Sequence, residues 1–267
     1  MEANTAENIL FRHLRDLPYF RAMLRAVEDR FYQDITLPAP VLDMGCGDGH
    51  FASVAFQQPL DVGLDPWVNP LKEAYGRGCY RMVLQADGAR MPFPTGWFAS
   101  VVSNSVLEHI PHIEQVLAEI ARVVRPSGLF VFCVPNDRFT VELQGATILR
   151  NIGLKGASQS YSRLFNRISR HAHTDPHDVW EKRLTKSGFE IEKCWDYFPP
   201  KSLHVLEMGH FLGFPALLTR KLTGNWILVK NNANLWLPWL ITHNHVINPV
   251  SEQGVYSFYI TRRNNSD

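Results

Sequence analysis

Four cysteines, at positions 46, 79, 133 and 194, are scattered without paired spacing. That pattern excludes a disulfide frame and a cysteine-built zinc site, and it fits reduced thiols in a cytoplasmic protein. No apolar run reaches the roughly eighteen residues a membrane-spanning helix needs. The opening residues are polar and of mixed charge, so no secretory leader is expected. Cations form no block either: 27 Lys and Arg stand against 26 Asp and Glu, a net charge of +1, so nucleic acid is not an expected partner. Internal repeats and low-complexity tracts are missing, which excludes solenoids and long disordered linkers. What remains is a chain of 267 residues, long enough for one sizeable core, bare or with an elaborate lid.

The most informative stretch is VLDMGCGDGH at 41–50. An apolar strand carrying Asp43 breaks into a turn made by Gly45, Cys46, Gly47, Asp48 and Gly49, and a helix can start at Phe51. Glycines are needed where a backbone takes positive φ or comes close to a ligand. A dinucleotide fingerprint has the spacing G-x-G-x-x-G and sets a pyrophosphate on the helix N-terminus. Here the spacing is G-x-G-x-G, and Asp48 would face that pyrophosphate. The turn therefore suits a ligand without phosphates, preferably a cationic one, and a nicotinamide oxidoreductase is disfavoured.

Three further elements follow in order. LDVGLD at 60–65 is a second apolar strand ending in Asp65, about twenty residues beyond the turn, where an acid can accept two ribose hydroxyls. MVLQADGA at 82–89 ends in Asp87, Gly88 and Ala89. FASVVSNSVLEHIP at 98–111 is a fourth strand running into Asn104 and His109. A helix at 113–125, a break at Pro126-Ser127-Gly128 and a strand at 129–134 complete the run. With the D-x-G-x-G-x-G turn, this series over residues 40–135 resembles the class I S-adenosylmethionine-dependent methyltransferases, in their small-molecule, type-11-like branch. The resemblance implies S-adenosylmethionine as cofactor, held by Asp43, Gly45, Cys46, Gly47, Asp65 and Pro66. It also implies that Asp87 receives the adenine amino group, beside Gly88 and Ala89, and that Asn104 lines the methyl side.

The coarse reading is an α/β fold. Residues 1–36 form an N-terminal helical cap, with apolar residues at helical spacing and a break at Pro18. Residues 37–135 form the cofactor-binding core. An insert at 136–174 is followed by a core helix and strand at 175–198, the helix starting from a Thr174/Asp175 cap. A second, apolar insert occupies 199–253, and the final strand and tail occupy 254–267. The resemblance implies a Rossmann-like seven-stranded, mostly parallel sheet, helices on both faces, and an antiparallel last strand between the fifth and sixth. Both inserts leave from C-terminal strand ends, where open α/β sheets bind ligands, so both belong on the active-site face as lids.

The second insert is rich in leucine and tryptophan but broken by Gly209, Gly213, Pro215 and Pro238. It can be a packed lid core, the lining for an apolar substrate, or a peripheral membrane contact through 203–241 flanked by Arg220, Lys221 and Lys230. The run RHAHTDPH at 170–177 reads as surface and capping residues, and His204, Glu207 and His210 as lid packing. No metal is expected. His109 follows the fourth strand where an acceptor belongs and is the candidate base, set against a solvent-facing histidine. The expected reaction is methyl transfer from S-adenosylmethionine to a small, apolar or lipid-like acceptor. The alternative is a methyltransferase-fold binding module that docks to a membrane or partner.

Overall fold

Alternating apolar residues in consecutive strands decide the architecture. The structure, a computed structural model, describes residues 5–224, 226–229 and 232–265. In chain order the helices are α1 (Ala6–Leu14), α2 (Tyr19–Tyr32), α3 (His50–Ala55), α4 (Val68–Arg77), α5 (Ile113–Val123), α6 (Arg138–Val141), α7 (Gln144–Asn151), α8 (Lys155–Ser169), α9 (His177–Lys186), α10 (Pro200–Leu212), α11 (Phe214–Thr223) and α12 (Asn232–Ile247). The strands are β1 (Val41–Met44), β2 (Leu60–Asp65), β3 (Tyr80–Gln85), β4 (Phe98–Asn104), β5 (Val124–Pro135), β6 (Phe189–Tyr197) and β7 (Tyr256–Arg263).

They form one sheet in the order β3-β2-β1-β4-β5-β7-β6. Strands β1 to β5 pair in parallel, and β7 runs antiparallel to both of its neighbours. The direction of winding reverses between β1 and β4, the switch point at whose carboxyl end ligands bind. Strands covered on both faces read as nearly continuous apolar runs. Here Leu42, Leu64, Val101, Phe130 and Phe132 meet α5 and α9 through Leu117, Ile120 and Trp180. Val41, Val102, Val131 and Phe258 belong to the core on the opposite face, with Met23, Val27, Ala52 and Leu71. Each such side chain contributes about 1.5–3 kcal/mol by leaving water.

Two local expectations change. The helix at 177 starts after Pro176 with no side-chain cap; Asp175 instead accepts from Arg183 at 2.6 Å. Strand β5 begins at Val124, not 129, because Val124 pairs with Phe98 before an irregularity shifts the register to Ser100 against Leu129.

The break at Pro18 separates α1 from α2, as the pattern indicates. Helix α10 crosses α2 so closely that a Cβ on Gly209 would lie 2.4 Å from the Cβ of Phe20. Residues after β5 make α6 to α8, and residues after β6 make α10 to α12. One carboxylate joins the two groups. Glu207 in α10 accepts the amide N–H groups of Gln144 (2.6 Å) and Gly145 (3.0 Å) at the start of α7, and the hydroxyl of Tyr161 in α8. His204 and His210 bond to backbone carbonyls nearby, so this histidine–glutamate set is engaged in contacts within and between the inserts. On α11 and α12, Leu218, Leu222, Trp236, Leu237 and Leu240 are exposed. Lys230 lies outside the described residues. Among those residues no helix is long and apolar enough to cross a membrane.

Candidate active site

The glycine turn leaves β1 with Gly45, Gly47 and Gly49 all at positive φ. A Cβ on Gly45 would come within 2.4 Å of Val106, so the turn lies flat against the exit of β4. At Gly47 a Cβ would meet no protein atom within 4 Å, which leaves the loop backbone open to a ligand. Asp65 spans the turn: one oxygen accepts the Gly47 N–H at 3.0 Å, the other the Trp67 N–H at 2.9 Å. Beneath it Asp43 is buried and accepts from the Tyr80 hydroxyl at 2.6 Å.

Burial pushes Asp43 up to about 7 against the Tyr80 bond, and neighbouring Asp65 adds to the rise. Burial raises Asp65 as well, eased by its two N–H donors. Both carboxylates are thus short of positive charge, which a cationic ligand supplies. Asp48 accepts the amide of His50 and meets Arg220 at 3.8 Å.

A cavity of about 640 Å³ gathers these groups. Its walls include Asp43, Gly45, Cys46, Gly47, Asp65, Pro66, Asp87, Gly88, Asn104 and His109. Of the sequence-derived site residues, Ala89 alone is not in the wall; its N–H closes a turn on Asp87 at 2.9 Å. The same cavity is lined by Leu17, Arg21 and Arg25 of the N-terminal helices, by Phe51, Ile110 and Pro111, and by Arg220 and Trp226 of the second insert. Trp226 lies between two guanidiniums, with Arg220 4.9 Å and Arg21 5.4 Å from its ring centre.

Arg25 is held by Glu28, which is fully buried and carries four bonds. It accepts from Arg25, from Asn104 Nδ2 (2.6 Å), from Ser105 Oγ (2.7 Å) and from the Tyr197 hydroxyl (3.2 Å). Burial works against the charge on Arg25, but Glu28 more than offsets it and the guanidinium stays protonated. Asn104 therefore lines the cavity while anchored to α2. Arg21, Arg25 and Glu28 belong to no sequence motif, although their spacing of four and three places them on one helical face.

A second buried chain lies below the turn. His13 meets Asp29 through Nε2 and His50 through Nδ1, both at 3.0 Å. Asp29 only accepts, so Nε2 carries the hydrogen and Nδ1 receives one from His50 Nε2. Burial brings His13 down to about 4, with Asp29 opposing and His50 assisting.

His109 ends the short 3-10 turn Leu107–His109 and is about half exposed. Its Nδ1 lies 3.0 Å from the Arg170 carbonyl, which leaves the lone pair on Nε2. Neighbouring Glu108 is buried, and its backbone carbonyl accepts from Ala172 (2.7 Å) and His173 (3.1 Å). Within the run at 170–177, then, Ala172 and His173 do more than face solvent or cap the next helix. His173 bonds to the Ile110 carbonyl at 3.0 Å, and the ring of His171 packs 5.5 Å from that of His109. Burial, aided by His109 and His210, drives His171 down to about 3. His177 instead pairs with Asp196 at 2.8 Å, away from the cavity.

The four cysteines are free thiols, and only Cys194 is exposed. An open glycine turn backed by three acids, with Asp48 inside the loop, fits a sulfonium nucleoside and fits a dinucleotide poorly.

Residues 42–132 match the methyltransferase-domain family. The chain is 26% identical over 209 residues to a malonyl-[acyl-carrier protein] O-methyltransferase of Geobacter sulfurreducens, covering 73% of this chain and 74% of that protein. It is 26% identical over 153 residues to the protein of the same name from Legionella pneumophila, of which it spans about half (54%), as it covers 54% of itself. Among solved structures, an S-adenosylmethionine-dependent methyltransferase of Thermotoga maritima superposes with a TM-score of 0.59 at 14% identity, covering 92% of both chains. A geranyl diphosphate C-methyltransferase of Streptomyces coelicolor, solved with S-adenosyl-L-homocysteine, gives 0.53 at 12% identity, covering 90% of this chain and 77% of that one. At these identities the structural likeness is one of fold.

Proposed function

We propose that this chain, a class I S-adenosylmethionine-dependent methyltransferase by its domain match and its relatives, methylates an oxygen of a small acceptor with an apolar body. The observation that carries the reading is the shared cavity, which joins the acid-lined glycine turn to an apolar and cationic wall. The name of the malonyl-thioester relatives, O-methyltransferase, supports the choice of oxygen.

Asp43, Gly45, Gly47, Asp65 and Asp87 would hold the donor. Bound there, S-adenosylmethionine would supply a methyl carbon already activated by its sulfonium leaving group. The chain's own part is to hold an acceptor in line and to keep water out. Leu17, Phe51, Ile110, Pro111 and Trp226 take the apolar body. Arg21 supplies a cation for an acidic group on it. His109, with its Nε2 lone pair, is the group placed to meet the reacting oxygen.

Calorimetric titration with S-adenosylmethionine and S-adenosylhomocysteine tests the donor site. Micromolar binding of both and none of NAD is expected; silence toward both sinks the reading. His109→Ala should abolish turnover of an apolar carboxylic or phenolic acceptor and leave donor binding intact. Full turnover by that variant removes His109 from the mechanism.

A second reading rests on the exposed Leu222, Trp236, Leu237 and Leu240: the acceptor reaches the cavity from a lipid surface that α11 and α12 touch. Flotation with anionic vesicles tests it. A protein that stays at the bottom of the gradient rules surface docking out.

A further inference from the structure

We infer that Glu108, His109 and His171 form a divalent-cation site at the edge of the methyl-transfer cavity. One carboxylate and two imidazoles, from two separate segments of the chain, bring ligand atoms within 4.8 Å of one another. The segments are the turn that follows β4 and the first residue beyond the C-cap of α8.

Several features of this corner are otherwise unexplained. Glu108 is 2% exposed, and among the described residues its Oε2 has no hydrogen-bond partner. Its Oε1 lies 3.7 Å from the Nε2 of His109. A buried carboxylate oxygen left unpaired is rare in native proteins and asks for a positive partner. The Nδ1 of His171 is likewise buried without a partner among the described residues. His109 already shows the arrangement of a ligating imidazole. Its far nitrogen donates to a backbone carbonyl, which fixes the tautomer and turns the lone pair to the side of Glu108.

The backbone supports the same geometry. Arg170, a non-glycine residue at φ 58°, ends α8 in the left-handed conformation. That turn sets the Arg170 carbonyl on His109 Nδ1 and delivers His171 beside it. Left-handed backbone at such a residue is held only where the surroundings impose it. Two further bonds, from Ala172 and His173 to the Glu108 carbonyl, clamp the second segment to the first.

Two imidazoles and a carboxylate suit zinc, cobalt, manganese or iron better than magnesium, which prefers oxygen ligands. Metal–ligand distances of about 2.0–2.2 Å require the three donors to draw in by side-chain rotation. Three protein ligands leave coordination positions open, and His109 lines the cavity. Resting on the reading above, and deepening it, an acceptor oxygen fills one of those positions, so His109 meets the reacting oxygen through the cation it holds.

The test uses the full chain, stripped with chelator and titrated with Co²⁺ alone. The expected result is one tightly bound equivalent with a visible d–d spectrum, displaced by Zn²⁺. His171→Asn and Glu108→Gln should each weaken it ~10-fold or more while still binding S-adenosylhomocysteine, which shows that they fold. Two results overturn the site: no stoichiometric binding by the unaltered protein, or affinities in both variants equal to its own. Loss of S-adenosylhomocysteine binding with cobalt retained would instead remove the donor assignment and leave the cation site standing.

Discussion

At the donor end of the cavity, each acid sits within two residues of the end of its own strand: Asp43 in β1, Asp65 closing β2, Asp87 just past β3. At the acceptor end nothing is so local. Arg21 and Arg25 come from α2, His109 from the turn after β4, and Arg220 and Trp226 from the second insert. The donor end is held by backbone N–H groups and glycine geometry. The acceptor end is held by buried side-chain bonds between residues far apart in sequence, Glu28 to Tyr197 being 169 residues apart. A common small ligand can be met by a repeated strand-end device, whereas a variable substrate calls for parts assembled over the whole chain.

Substitution of Glu28 strikes the acceptor end hardest. Glu28→Ala strands a buried guanidinium and three other donors, and should cost about 3–5 kcal/mol in denaturant unfolding. A loss near zero would show that water or a shifted side chain replaces the carboxylate, and the contrast between the two ends would weaken.

Acid comes next. His13 is held neutral down to about 4, while in the unfolded chain it titrates near 6.5. Between those values the unfolded state binds the extra proton, so stability falls as pH drops from about 6.5 to 4, by about 3 kcal/mol in all. The groups facing it are Asp29, His50 and Arg25. His13→Phe should flatten that acid limb of the unfolding curve; an unchanged limb assigns it elsewhere.

The donor end breaks differently. Asp65→Ala removes a carboxylate that lines the cavity and should lower S-adenosylmethionine affinity about 100-fold, the worth of two charge-assisted bonds, and it should also lower the unfolding midpoint, because the Gly47 and Trp67 amides lose their acceptor. Unchanged binding in calorimetry would remove the ribose assignment.

Smallest is the proton on Asp43. With its carboxyl raised to about 7, a cationic donor must displace that proton, so affinity should decline about 10-fold per pH step below 7. Asp43→Asn should abolish the slope. A wild-type profile flat from 5 to about 8 would show that the donor ignores this charge.

The same contrast explains what was legible in the residues alone. Strand-end acids and glycine turns carry their function in local spacing, and all but Ala89 of the residues named for the donor line the cavity. Glu28 and His171 were opaque for the opposite reason. Each acts through partners that only tertiary packing supplies, and neither an acid inside an amphipathic helix nor a histidine in a polar run has a distinctive spacing. The capping expected of Asp175 failed because Arg183, eight residues on, offers a charged partner at 2.6 Å. Competition from a cation outweighs a neutral amide.

Glu207 has a mechanical meaning. One carboxylate from the second excursion terminates a helix of the first, 63 residues away in sequence. The two excursions are therefore fastened to each other at this point, and neither moves there without the other. Amide exchange in α7 and α10 would then rise and fall together as ligands come and go.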